Sequence, residues 1–145
     1  MSLLRELAIA IPIFIIAMII ASQLVVVPTS SMTPTIVKGD MVVVEKNNIL
    51  DMGINETNPE NIKVGDVIVY AKNASGVTED IIHRVVAINE TGGQKYYVLK
   101  GDNNTIDDPV MVPTNAVIGE AVNWNGKPIT IPSVGWIFLW LKGAS

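Results

Sequence analysis

The chain has no cysteine, which excludes disulfides, thiolate nucleophiles and Cys-ligated zinc together. It has one histidine, His83, so a His-rich metal centre is excluded too, and neither a metal nor an organic cofactor is expected. Basic residues are scarce: Lys and Arg number 10 against 14 Asp and Glu, for a formal net charge of −4. No basic stripe is visible, which argues against nucleic acid as a partner, because phosphate binding needs one. After the N-terminal region no amphipathic helical period persists for three turns.

What the chain does have is one long apolar run, "LAIAIPIFIIAMIIASQLVVV", from Leu7 to Val27. As a helix it is roughly 31 Å long at ~1.5 Å per residue, about the thickness of a bilayer's hydrocarbon core. Ser22 and Gln23 are its main polar interruption, and Pro12 falls inside it, where a membrane helix tolerates a kink. A cleavable signal peptide is the rival reading, but its apolar core usually spans only ~7 to 15 residues. A retained anchor is favoured. Arg5 precedes the run, and the next cation is Lys38, so the N-terminus is expected in the cytoplasm and the body outside. Sequons at Asn55, Asn73, Asn89 and Asn103 agree with that side without establishing it.

The remaining residues, about 115, can bury one modest core. With a total length of 145 residues, the chain is expected to hold a single folded unit. Short runs rich in β-branched and aromatic residues recur at Met41 to Glu45, Val67 to Ala71, Asp80 to Ile88, Lys95 to Leu99 and Ala116 to Val122. Turn-forming clusters separate them, around Ile54 to Asn61 and at Asn89 to Gly93. An all-β domain is predicted. Gly39-Asp40 and Gly65-Asp66 each enter a strand, and Gly101-Asp102 leaves one; in such turns Gly supplies positive φ and the Asp carboxylate bonds nearby N–H groups. The tail from Val134 to Leu141, with Trp136 and Trp140, is too short to cross a bilayer. It can lie at the interface, begin a longer segment or pack into the core.

Directly after the apolar run comes "TSSMTPT", Thr29 to Thr35. A serine nucleophile needs a base within hydrogen-bond reach and commonly an acid that orients that base. Any Ser/His arrangement here must use His83, which alternates with Ile81 and Val85 on one strand face. A lone histidine in that setting is more often a satisfied core residue.

The combination of "SSMTPT" at Ser30 to Thr35, "KGDMVVV" at Lys38 to Val44, "VGDVIVY" at Val64 to Tyr70, "IIHRVV" at Ile81 to Val86 and "KGDNNTIDD" at Lys100 to Asp108, in that order behind an anchor, resembles the type I signal peptidases, specifically the archaeal and endoplasmic-reticulum branch. The resemblance covers nearly the whole chain. It implies a signal peptidase-like β fold, an all-β catalytic domain with one N-terminal transmembrane helix. It implies Ser31 as nucleophile, with His83 standing where the bacterial enzymes place a lysine general base. With a reference pKa of ~6.5, an imidazole is largely a base at neutral pH without the desolvation a lysine requires.

Two aspartates match the family's acidic segment, Asp102 and Asp108, with Asp107 beside the second. Asp102 repeats the Gly-Asp turn pattern, whereas Asp108 has no obvious turn duty, so Asp108 is expected to orient the base and Asp102 to support. The Ser31 backbone N–H and the Thr29 hydroxyl are the expected oxyanion donors; the family's usual residue at position 29 is serine. Met32 and Pro34 are expected to shape the nucleophile loop.

These readings divide the chain into an anchor at 1–28, an extracytoplasmic catalytic domain at 29–133 and a short apolar segment at 134–145. The implied function is a membrane serine endopeptidase that removes N-terminal signal peptides from exported preproteins by a Ser/His/Asp acyl-enzyme mechanism. Its partners would be preproteins and the bilayer, with the substrate bound as an extended strand beside a sheet edge. Ser31 lies four residues past Val27, within roughly 14 Å of the span's end at ~3.5 Å per residue, where a membrane-held precursor presents its cleavage site. A membrane-tethered serine protease with other substrates, and an anchored β domain that binds without catalysis, are the alternatives.

Overall fold

The structure, a computed structural model, describes residues 3–46, 58–74 and 76–143. The expectations for Asn55 and for the turn cluster's first residues, 54–57, lie outside the described residues.

Helix α1, Leu3–Ser22, is 20 residues long with a mean hydropathy of 2.4 over its best window, and none of that window is buried against the rest of the protein. Its length is roughly 30 Å, and the helix runs through Pro12. The apolar run is therefore divided differently from the sequence expectation. The helix begins before Leu7 and stops at Ser22, while Leu24–Val26 forms strand β1 and pairs antiparallel with Met41 to Val43. Val27 is buried in the core of the β domain. Three valines and a leucine are both oily and β-prone, so hydropathy alone does not separate them from the span; a partner strand does.

The body is mostly antiparallel sheet. Strands β2 (Met41–Lys46), β3 (Val67–Ala74), β4 (Val77–Thr91), β5 (Gln94–Lys100), β6 (Val112–Pro113) and β7 (Val117–Ala121) follow, with short β8 (Asn123–Trp124), β9 (Lys127–Pro128) and β10 (Thr130–Ile131). The main sheet runs in the order β1-β2-β7-β3-β4-β5-β6, with β10 also on β2, while β8 and β9 form a separate pair. Each of the five expected β runs is a strand, with ends shifted by a few residues. The long strand β4 pairs with β3 along its first part and β5 along its second, with a register shift between Val85 and Ala87. The Gly92-Gly93 turn that joins β4 to β5 has both φ angles positive, which glycine adopts without a Cβ penalty.

The apolar faces of this sheet bury two clusters. One gathers Val27, Met32, Ile36, Val42, Val44, Val67, Val69, Ile82 and Ala121. The other gathers Ile62, Ile68, Tyr70, Val85, Tyr97, Leu99, Val112 and Val117. Along β3 and β4 the residues alternate between the clusters as the pleat requires, with Val67 and Val69 in the first and Ile68 and Tyr70 in the second.

Helix α2, Gly135–Leu141, ends the described chain. It buries Gly135 and Leu139 and leaves Trp136, Ile137, Phe138, Trp140 and Leu141 exposed. The Asp40 carboxylate ties the start of this tail by accepting from Ser133 N–H at 3.1 Å. Its other oxygen accepts from Val37 N–H at 3.0 Å, the turn duty expected of a Gly-Asp pair.

Candidate active site

The loop that carries Ser31 leaves β1 and turns tightly, with Thr33 N–H donating to Ser30 O and Ile36 N–H to Met32 O. The Thr33-Pro34 peptide is cis. Met32 is fully buried in the first core cluster, an anchor of about 1.5–3 kcal/mol for a side chain of this size. That burial fixes the residue before it. Ser31 sits with its hydroxyl Oγ 3.0 Å from His83 Nε2 and 3.1 Å from the Thr29 hydroxyl. Its carbonyl is held from across the chain by Asn103 N–H at 2.8 Å, and Asn103 Nδ2 donates to Ser30 O at 3.3 Å.

His83 lies mid-strand on β4 and is 7 % exposed. Its cross-strand partner is Ile68 on β3, so it points to the face of the second cluster, as its alternation with Ile81 and Val85 predicts. A histidine this buried must satisfy both ring nitrogens. It does so with Ser31 on one side and, at 2.6 Å from Nδ1 to Oδ2, with Asp108 on the other. If Asp108 is ionised, Nδ1 carries the proton and Nε2 is left as an acceptor facing the Ser31 hydroxyl. Asp108 is in turn fixed through its backbone, whose N–H donates to Leu99 O at 2.7 Å.

The second aspartate does something else. Asp102 accepts from Arg84 Nε at 2.8 Å and Nη2 at 2.7 Å, a bidentate pair, while Arg84 Nη1 donates to Gly65 O at 2.7 Å. The guanidinium hydrogen bonds hold the Asp102 carboxyl below the usual carboxylate range against the opposing effect of burial. Asp102 therefore does not repeat the duty of the other two Gly-Asp carboxylates. Asp66 follows the turn pattern, with Oδ2 accepting from Lys63 N–H at 2.8 Å, and Gly39 and Gly65 have positive φ. Gly101 is needed for closeness instead: a Cβ there would sit 2.6 Å from Ser31 O. The 101–104 turn and the Ser31 loop press together, with Arg84 and Asp102 clamping that turn onto β4.

The structure brings Ser31, His83, Asp108 and Thr29 into one connected set and places Asp102 in a supporting ion pair beside it. Asp107 is exposed. Three residues were missed by sequence reasoning. Tyr70 donates its hydroxyl to Asp108 Oδ2 at 3.0 Å; the trace it left is a lone hydroxyl at the end of an apolar strand. Arg84 shows in the sequence only as the residue after His83. Asn103 acts largely through its backbone N–H, which no side-chain pattern reports. A cavity of about 280 Å³ opens beside the set, lined among others by Tyr70, Ile81, His83, Asp108, Met111 and Ala116.

A hydroxyl, an imidazole and a carboxylate linked in this order form the arrangement that acyl-transfer hydrolases use to activate serine. Here it is carried on a β domain behind a helix long and apolar enough to cross a membrane. Residues 1–111 match the family described as signal peptidase, peptidase S26. An uncharacterized protein of Methanocaldococcus jannaschii is 26% identical, with 88% of each chain covered. The signal peptidase complex catalytic subunit sec11 of Sclerotinia sclerotiorum is 31% identical over 83% of this chain and 68% of its own length. That of Schizosaccharomyces pombe is 28% identical over 83% and 67%. The chain belongs to the signal peptidase family, on its archaeal and endoplasmic-reticulum branch.

Proposed function

We propose that this chain is a membrane-anchored serine endopeptidase that cleaves signal peptides from exported preproteins, with Ser31 as nucleophile, His83 as general base and Asp108 as the orienting acid. The observation that carries the reading is the unbroken path from Ser31 Oγ to His83 Nε2 at 3.0 Å and from His83 Nδ1 to Asp108 Oδ2 at 2.6 Å. Ser31 Oγ forms a bond to the scissile carbonyl carbon while its proton passes to Nε2. The Ser31 N–H and the Thr29 hydroxyl donate to the developing oxyanion. Collapse breaks the C–N bond, and His83 returns the proton to the departing amine, which becomes the N-terminus of the mature chain. The signal peptide remains esterified to Ser31. Water then attacks that ester, giving up a proton to His83, and the serine recovers one as the signal peptide leaves. Asp108 holds the imidazole in the productive tautomer and stabilises its cation in each half-reaction.

Placement in the membrane follows the same logic. Helix α1 is the span, with Arg5 on the cytoplasmic side and the β domain outside; the domain takes over at Leu24, a few residues earlier than the 1–28 and 29–133 division. Of the 134–145 segment, the described residues, 134–143, lie at the interface. Its helix α2 packs beside β1, with the Trp136 ring 5.3 Å under Lys38 Nζ, and it presents Trp140, Phe138 and Ile137 outward. Ser31 lies nine residues beyond the end of α1, within roughly 30 Å of it at ~3.5 Å per residue, a reach that favours substrates held in the same bilayer.

The test is cleavage of a signal-bearing preprotein by the purified full chain in proteoliposomes. Ser31→Ala and His83→Ala are each expected to reduce the rate by several orders of magnitude. Cleavage at the unmutated rate by either variant would remove the mechanism.

A further inference from the structure

We infer that Tyr70 is a positioning residue of this active site, acting on His83 through Asp108; the inference rests on the catalytic reading above. The Tyr70 hydroxyl donates to Asp108 Oδ2 at 3.0 Å, and that same oxygen lies 2.6 Å from His83 Nδ1. One carboxylate oxygen therefore receives two donors from two strands. A carboxylate held by a single hydrogen bond can rotate about its Cβ–Cγ bond and offer either oxygen; a second donor on the same oxygen removes that freedom. With the Asp108 backbone tied to Leu99 O, the plane of the carboxylate and the tilt of the imidazole are set together.

The fold explains why Tyr70 can do this. It lies on β3 opposite Ile81, two residues from the Ile68 that faces His83, so Tyr70 and His83 share one sheet face. The side chain is buried, with 6 % of the residue exposed, in the second core cluster. A phenol in that setting needs a partner for its O–H, and Asp108 is that partner. Burial, and after it the neighbouring Asp108 carboxylate, push the phenol well above its ordinary pKa. It stays a donor throughout the working range of an imidazole base. Tyr70, His83 and Asp108 also line the same largely apolar cavity, where a carboxylate short of one donor has little else to turn to.

Packing alone would also put an aromatic ring at this position, so the decisive experiment separates the hydroxyl from the ring and couples it to Asp108. Tyr70→Phe, Asp108→Asn and the double variant are compared in full-length enzyme by single-turnover and steady-state cleavage of a preprotein, with melting temperatures measured alongside. Tyr70→Phe is expected to lower kcat about tenfold with KM unchanged, the usual scale for one hydrogen bond to a charged group. On the Asp108→Asn background the same change is expected to alter kcat by no more than about twofold, because the charged oxygen that Tyr70 shares with His83 is then gone. A tenfold loss in both backgrounds would make Tyr70 a packing residue, and no loss in the Asp108-containing enzyme would also overturn the inference. Full activity in Asp108→Asn would overturn the catalytic reading itself, and this inference with it. Tyr70→Leu, which removes ring and hydroxyl, is expected to lower the melting temperature as well, whereas Tyr70→Phe is expected to lose rate with its fold intact.

Discussion

Replacing Asp108 and Asp102 by asparagine, one at a time, separates the two acidic residues of the 101–108 segment by what each loses. In Asp108→Asn the amide keeps the shape of the carboxylate, but its NH2 can turn toward His83 Nδ1, which then becomes the acceptor. The proton moves to Nε2, the nitrogen 3.0 Å from Ser31 Oγ, and the base can no longer take the serine proton. In the Ser/His/Asp template this tautomer error costs about 10⁴ in kcat, or ~5 kcal/mol of transition-state stabilisation. The amide fills the same volume as the carboxylate, so KM is expected to stay close to its original value. Asp102→Asn keeps one acceptor for Arg84 but loses the charge and half of the fork, a cost of roughly 1.5–3 kcal/mol in stability. It reaches the chemistry through the 101–104 turn and the Asn103 N–H that holds Ser31 O at 2.8 Å, and through Thr35 of the Ser31 loop, which also hydrogen-bonds Asp102. Its signature is therefore a lowered melting temperature with kcat reduced far less than in Asp108→Asn. Proteoliposomes carrying each variant, assayed by single-turnover cleavage well below the melting temperature of either, provide the comparison. A larger kcat loss for Asp102→Asn in folded enzyme would refute the assignment of Asp108 as the orienting acid.

Two further outcomes follow from neighbouring features. Gly101→Ala places a methyl group 2.6 Å from Ser31 O and 2.8 Å from Asn104 Nδ2; it is expected to reduce cleavage by more than tenfold at an unchanged KM, read by steady-state kinetics, because a displaced nucleophile loses its near-attack geometry. Glu120, opposite Glu45 on β2, has its carboxyl pKa raised from 4.5 to about 7, first by burial and then by Asp66 and Glu45. The folded state thus binds this proton more tightly than the unfolded chain, so the stabilisation present below 4.5 falls away as pH rises toward 7. Glu120→Gln is expected to flatten the dependence of melting temperature on pH across that window, measured by differential scanning fluorimetry; an unchanged slope would show that other groups carry it.

Much of this protein is written locally. That the N-terminal apolar run forms a helix with no buried residue follows from hydropathy and length alone, since no other element is needed to satisfy its backbone. The strands at Met41, Val67, Asp80, Lys95 and Ala116 show in their β-branched alternation, a property of neighbours along the chain. His83 was singled out by scarcity, and Ser31 by its setting before Met32 within an ordered series of motifs. Preference for Asp108 over Asp102 also rested on a local argument, that a Gly-Asp pair already has a turn to make. For Asp40 and Asp66 that argument holds in the structure. For Asp102 it does not, because Arg84 and not a turn engages the carboxylate.

Where the chain stops being apolar helix and becomes sheet was not legible, because Leu24 to Val27 are as oily as the helix. Only the pairing of β1 with β2 decides it. The contacts that make a site are of the same kind. Ser31 and His83 are 52 residues apart, His83 and Asp108 25, and Tyr70 and Asp108 38. A sequence supplies the residue types and the face each occupies on its own strand. The register of β3 against β4, the burial of Met32 and the grip of Asn103 on the nucleophile loop are settled by packing between distant segments, and they bring a hydroxyl, an imidazole and a carboxylate within hydrogen-bond reach.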